Sequence, residues 1–211
     1  MKLAKRFDVL AAGEFPSSSL WPRATTDIES AIAAVDWPPG SGAFSLNRTP
    51  GVDRRGRRDV HPNGVVPIKL PMLRDLRAHG WVTESLPTIP EGQRRLLTTG
   101  DLVALLLEGG AYVASEWETG NVASSHRAVN KLLDALWRGT VAGGVLVLPT
   151  RAMGRYLTDR VGNFEELSPY FELWARYPIA AGVLRVYGVE YNELNDSVPH
   201  IPKGLDGRAL G

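Results

Sequence analysis

Glu116-Trp117-Glu118-Thr119-Gly120-Asn121 is the stretch of this sequence whose residue types and spacing best suit chemistry. Residues 112–118 read as a strand that starts buried and ends acidic. Strand side chains at i and i+2 share a face, so Glu116 and Glu118 project together while Trp117 turns into the core on the other side. Two close carboxylates repel unless one is protonated or a cation sits between them. A hard, all-oxygen site of this kind suits magnesium, which keeps waters and bridges to a phosphate. Asp101, on the preceding element, offers a third carboxylate. Such a cluster could hold a phosphodiester through the metal, acidify a bound water and stabilise the leaving oxygen. The same spacing also describes two glutamates that are simply solvated at a strand's end.

Immediately downstream, Asn121, Ser124, His126, Arg127, Asn130 and Lys131 gather at the start of a helix. Asparagine and arginine read adenine and guanine edges in the major groove, and a helix N-terminus favours phosphate. An ordinary exposed first turn would have the same composition. For His126 a packing role on the helix outweighs a general-base role.

The elements that must position these residues follow from periodicity. Residues 124–138 form the clearest helix, with Val129, Leu132, Leu133, Leu136 and Trp137 at helical spacing and Ser124 as a candidate N-cap. Residues 27–35 read as an amphipathic helix, and a second helix within 67–80 stops at Gly80. Val145-Leu146-Val147-Leu148 reads as a buried central strand and 183–189 as another. Residues 153–156 and 164–176 look helical, and 101–108 is an apolar run led by an acid. Strands alternating with helices predict an α/β fold, a central sheet covered by helices.

The chain has 211 residues, enough for one substantial core, so a single domain over 1–211 is expected. Residues 50–62 are rich in Pro, Gly and Arg and read as a mobile loop, solvated or touching phosphate. Residues 195–211 read as an irregular tail. With no cysteine, disulfides and thiolate–zinc sites are excluded, and a reducing compartment, the cytoplasm, is expected. No apolar run is long enough to span a membrane. A net charge of +1 excludes a strongly basic, indiscriminate nucleic-acid binder but allows a basic cleft offset by acids.

Several long motifs, in order, resemble the BamHI family of type II restriction endonucleases: 37–49 (WPPGSGAFSLNRT), 63–69 (NGVVPIK), 116–139 (EWETGNVASSHRAVNKLLDALWRG), 156–173 (YLTDRVGNFEELSPYFEL) and 195–207 (NDSVPHIPKGLDG). The resemblance implies a PD-(D/E)XK nuclease core, a central mixed β-sheet flanked by helices, working as a symmetric homodimer on double-stranded DNA. It implies Mg2+ held by Asp101, Glu116, Glu118 and the backbone carbonyl of Trp117, with Glu84 a further acid at the site. Glu118 stands where most PD-(D/E)XK enzymes carry lysine and is the candidate to activate the attacking water. The DNA-contacting positions implied are Asn121, Arg127, Asp159, Arg160, Asp206 and Lys69, although Lys69 also reads as a plain surface lysine. Trp137, Arg138 and Glu172 fall in the implied dimer interface. The implied reaction is Mg-dependent cleavage of both strands at the palindrome GGATCC, leaving 5′ overhangs, in a host that also carries a cognate DNA methyltransferase. The alternative is a sequence-specific DNA-binding protein that no longer cuts. Ala123 departs from the family, which has serine there, and the Arg-rich loop reads as an insertion.

Overall fold

The computed structural model describes residues 1–53, 55–85, 102–158 and 161–203. In chain order the elements are β1 (Lys2–Ala12), α1 (Leu20–Ala33), β2 (Ser45–Leu46), β3 (Gly51–Val52), β4 (Arg58–Asp59), α2 (Val66–Ala78), β5 (Val82–Ser85), β6 (Leu102–Glu108), β7 (Ala111–Trp117), α3 (Val122–Trp137), β8 (Gly143–Pro149), α4 (Arg151–Gly154), α5 (Phe164–Leu167), α6 (Phe171–Trp174), β9 (Gly182–Glu190) and β10 (Glu193–Leu194).

Six strands form one mixed sheet in the order β1-β9-β8-β7-β6-β5. β7, β8 and β9 run parallel, and β1, β6 and β5 are antiparallel to their neighbours. Val145 and Val147 of β8 pack on one face with Ile28, Ile32, Ile68 and Met72 of α1 and α2. Leu146 and Leu148 pack on the other face with Val129, Leu132, Leu133 and Leu136 of α3. An unbroken apolar run is what a strand covered on both faces requires, because either side of its pleat meets a helix. The mixed sheet between helices agrees with the expected architecture.

Element boundaries moved where tertiary context decided them. The first helix begins at Leu20, seven residues before the amphipathic pattern becomes clear, and Leu20, Trp21 and Ala24 are already buried. Residues 164–176 are not one helix. Pro169 cannot donate to a helical ladder, and a 3-10 turn over Ser168–Tyr170 separates α5 from α6. The run 102–108 is a strand. β1 gave no clear strand signal because it is an edge strand, mostly exposed and carrying charge. Its charges find partners: Lys5 with Glu165 at 2.7 Å, Arg6 with Glu29 at 2.6 Å, and Asp8 with Arg185, Nη2 to Oδ2, at 2.8 Å.

Within 50–62, β3 and β4 form a short hairpin. Asp53 closes it by accepting the backbone N–H of Arg55 at 2.8 Å and of Arg57 at 2.9 Å. Residues 195–203 contain no helix or strand but are fastened to the body. Trp37 Nε1 donates to the Pro199 carbonyl at 2.8 Å, and Asn47 Nδ2 to the Val198 carbonyl at 2.8 Å. Gly64 N donates to the Ile201 carbonyl at 2.7 Å. No described helix is long and apolar enough to cross a membrane.

Candidate active site

The carboxyl ends of β7 and β8 carry the site. Glu116 lies opposite Leu146 in the β7–β8 ladder, and the Glu118 N–H extends that ladder by donating to the Val147 carbonyl at 3.0 Å. The pleat sends the buried Trp117 side chain into the α1–α2 core and Glu116 toward α3, as the strand periodicity predicts. Glu116 is 2% exposed and meets the ammonium group of Lys131 from α3. The contact compensates the charge of the buried carboxylate.

Glu118 is half-buried and turns toward the tight bend that starts α3. A Cβ on Gly120 would come within 3.2 Å of Glu118 Oε2 and 3.0 Å of Ser124 Oγ, so glycine leaves room for that carboxylate. The Gly120 N–H also favours the ionised form of Glu118. Burial pushes the Glu116 carboxyl up to about 7, Lys131 pulls it down, and the charge of Glu118 pushes it up again. Burial likewise raises Glu118, opposed first by Arg127 and then by Lys131. Lys69, half-buried on α2, acts on both carboxylates. Two acids thus sit among three cationic side chains. Arg127 and Lys131 are one turn apart and share a face of α3.

A hard divalent cation fits this donor set. Both side chains offer only oxygen, and they lie close enough for the charge of Glu118 to raise Glu116, a repulsion that a cation between them would relieve. Among the described residues no third acid joins them. Asp101, Asp159, Arg160, Asp206 and the side chain of Glu84 lie outside the described residues. The register Thr83↔Ala104↔Ser115 does place the backbone of Glu84 one step along, in the row of Glu116 across β6.

Asn121, not Ser124, caps α3: its Oδ1 accepts the Ser124 N–H at 3.0 Å. An N-cap needs an extended backbone just ahead of the first helical residue, and Asn121, with ψ of 172°, supplies it. Arg127 is exposed, with Nη2 at 3.4 Å from Ser124 Oγ. His126 packs edge-on against Tyr170 and Trp174, at 4.7 and 5.5 Å between ring centres, which is the packing role.

The chain segments flanking residues 159–160 come to the same end. Val161 bridges to Asn121, and the Gly162 N–H donates to the Gly120 carbonyl at 2.8 Å. Leu157 bridges to Asn63. Asn63 is fully buried and ties three segments together. Its Nδ2 donates to the carbonyls of Asn47 at 2.7 Å and Tyr156 at 2.9 Å, and its Oδ1 accepts the Ile201 N–H at 3.1 Å. Sequence reasoning assigned no role to Asn63 and only counted Lys131 among the polar residues of the helix start. No local pattern marks either, since each acts through partners distant in the chain.

At the far end of α3, Trp137 is 55% exposed and Leu173 60%. Arg138 pairs with Asp134 on its own helix, Nε to Oδ1 at 3.1 Å. Glu172 is exposed on α6.

The family model described as restriction endonuclease BamHI matches residues 1–208. The type II restriction enzyme OkrAI of Oceanobacter kriegii is 41% identical over 207 residues, covering 98% of each chain. The type II restriction enzyme BamHI of Bacillus amyloliquefaciens is 34% identical over 213 residues, covering 98% of this chain and 92% of that one. Among solved structures, restriction endonuclease BglII complexed with a DNA 16-mer superposes with a TM-score of 0.61 at 12% identity. That match covers 91% of this chain and 79% of the BglII chain, and it shows a shared fold.

Proposed function

The chain belongs to the BamHI restriction endonuclease family, and from that premise we propose that it is a magnesium-dependent enzyme cutting both strands of DNA at the palindrome GGATCC to leave 5′ overhangs. The observation that carries this reading is the pair Glu116 and Glu118 at the carboxyl end of β7, buried or half-buried among Lys69, Arg127 and Lys131. Carboxylates kept short of water and flanked by cations suit a site that takes a divalent ion and a phosphate together.

Glu116 and Glu118 would hold the ion, with the Trp117 carbonyl and Asp101 as further donors and Glu84 as a further acid of the site. When bound, magnesium supplies a Lewis acid for the scissile phosphate and a water of lowered pKa. Glu118 takes the proton of the attacking water. Lys69 and the N-terminus of α3 orient the phosphate backbone.

Specificity rests on Asn121, Arg127, Asp159, Arg160 and Asp206. Arginine donates to guanine and aspartate accepts from the cytosine amino group, a combination that reads a G·C pair. A homodimer built through α3 and residues 164–176, with Trp137, Arg138 and Glu172 at the contact, converts each half-site into a palindrome. A cytoplasmic enzyme of this kind requires a host methyltransferase that marks the same site.

The test is digestion of a plasmid of known sequence with magnesium, with calcium and with chelator, followed by sequencing of the fragment ends. Discrete fragments in magnesium alone, all ending within GGATCC, are expected. Intact plasmid in magnesium, or ends sharing no sequence, would overturn the reading.

A further inference from the structure

Lys131 lies on the inward side of α3, one turn past Arg127. Its side chain is 13% exposed and that of Glu116, which it meets, 3%. A buried ion pair is weak support for stability, because desolvating both charges cancels much of their attraction. Two well-packed apolar groups would hold β7 to α3 as firmly. The pair therefore needs a reason in the chemistry of Glu116. A carboxylate that takes up a divalent cation must be protonated or paired with another cation when no metal is there, since an isolated buried charge is very costly. Lysine suits that role, being a compact charge on a flexible stem that can withdraw along the helix surface. The contact places the lysine charge directly on the carboxylate that a cation would use.

We propose that Lys131 is the resident counter-ion of Glu116 in the metal-free protein and competes with the divalent cation for that carboxylate. The proposal rests on the reading of Glu116 as a metal ligand. Lys131 is then a positioning residue. It allows the folded protein to carry its acids to DNA without metal, and it sets how much metal is needed to occupy the site.

The test uses the full chain and Mn2+ as probe, with bound ion measured by loss of the free-ion electron paramagnetic resonance signal. Lys131→Met keeps the stem and removes the charge, Lys131→Arg keeps the charge, and Glu116→Gln is the control. Competition predicts at least tenfold tighter Mn2+ binding by Lys131→Met and near-normal binding by Lys131→Arg. It also predicts that metal-free Lys131→Met loses melting temperature and that saturating Mn2+ restores it. A merely structural lysine gives a loss that Mn2+ does not restore. Should Lys131→Met be unfolded without metal, recovery of its circular dichroism on adding Mn2+ supports competition, and no recovery overturns it. Unchanged or weaker Mn2+ binding by Lys131→Met, with binding still lost in Glu116→Gln, overturns the role of Lys131 and leaves the site intact. If Glu116→Gln binds Mn2+ as the parent does, the assignment of Glu116 as a ligand is what fails.

Discussion

A carboxylate at the end of a buried strand fulfils two requirements in conflict, and Glu116 shows both. In the proposed role it must be ionised to take a cation, whereas burial favours it neutral. Glu116→Ala should abolish cleavage, since losing a metal ligand removes several kcal/mol of transition-state stabilisation. The same substitution relieves repulsion of phosphate, so gel-shift affinity for specific DNA in chelator should hold or rise. Detectable cleavage near the parental rate would contradict the assignment. The pH dependence has a definite sign. The folded-state carboxyl, at about 7, lies above its ordinary 4.5. Its contribution to stability is therefore whole below 4.5 and is lost as pH rises through 7. The metal-free melting temperature should fall between about pH 5 and 8, a loss on the order of 3 kcal/mol from this group. Glu116→Gln should flatten that fall. Divalent-ion affinity should rise over the same interval, because the ligand must shed its proton to bind. A melting temperature independent of pH in the parent would show that the carboxyl is not raised.

Among the elements, the joint at Asn63 and Gly64 decides how irregular chain is held near the site. Asn63 satisfies three backbone groups from three segments, and a Cβ on Gly64 would collide with the carbonyl of Pro202. Asn63→Ala should cost roughly 1–3 kcal/mol for each buried group left without a partner. Urea unfolding measures that cost, and a loss below half a kcal/mol would mean the joint is not rigid. Gly64→Ala should detach residues 201–203 while the sheet survives. Faster amide hydrogen exchange at Ile201, with β8 still protected, is the expected signature. Equal protection in variant and parent would contradict it.

Across the whole molecule, α3 joins the two ends of the proposed function. Its first turn faces the carboxylates, and its last leaves Trp137 in water. His126 and Trp137 are eleven residues apart, three turns of helix, and so share one face. Tyr170 packs against His126 there, and Leu173 and Tyr177 are exposed nearby in sequence. Several large apolar side chains in water are costly for a monomer. Sedimentation should show a dimer at micromolar concentration, and Trp137→Glu should shift it to monomer. Cleavage of both strands in one event should then give way to nicking. A parent that sediments only as monomer would sink the dimer.

Three features were legible in the sequence because local rules govern them. Pleat alternation set Glu116 against Trp117, the apolar run at 145–148 marked a strand covered on both faces, and 3.6-residue spacing marked α3. The ordered motifs over most of the chain carried the family. Only the tertiary structure decided the rest. β1 is a strand because β9 offers it a ladder and charged partners, neither visible in its own composition. Asn121 became the cap because the backbone must be extended before the first helical turn, which no residue preference settles between Asn121 and Ser124. Lys131 became the neighbour of Glu116 because α3 crosses back over the sheet, bringing two residues fifteen positions apart into one buried contact. Spacing along a chain fixes the face a side chain takes; only packing fixes what it meets there.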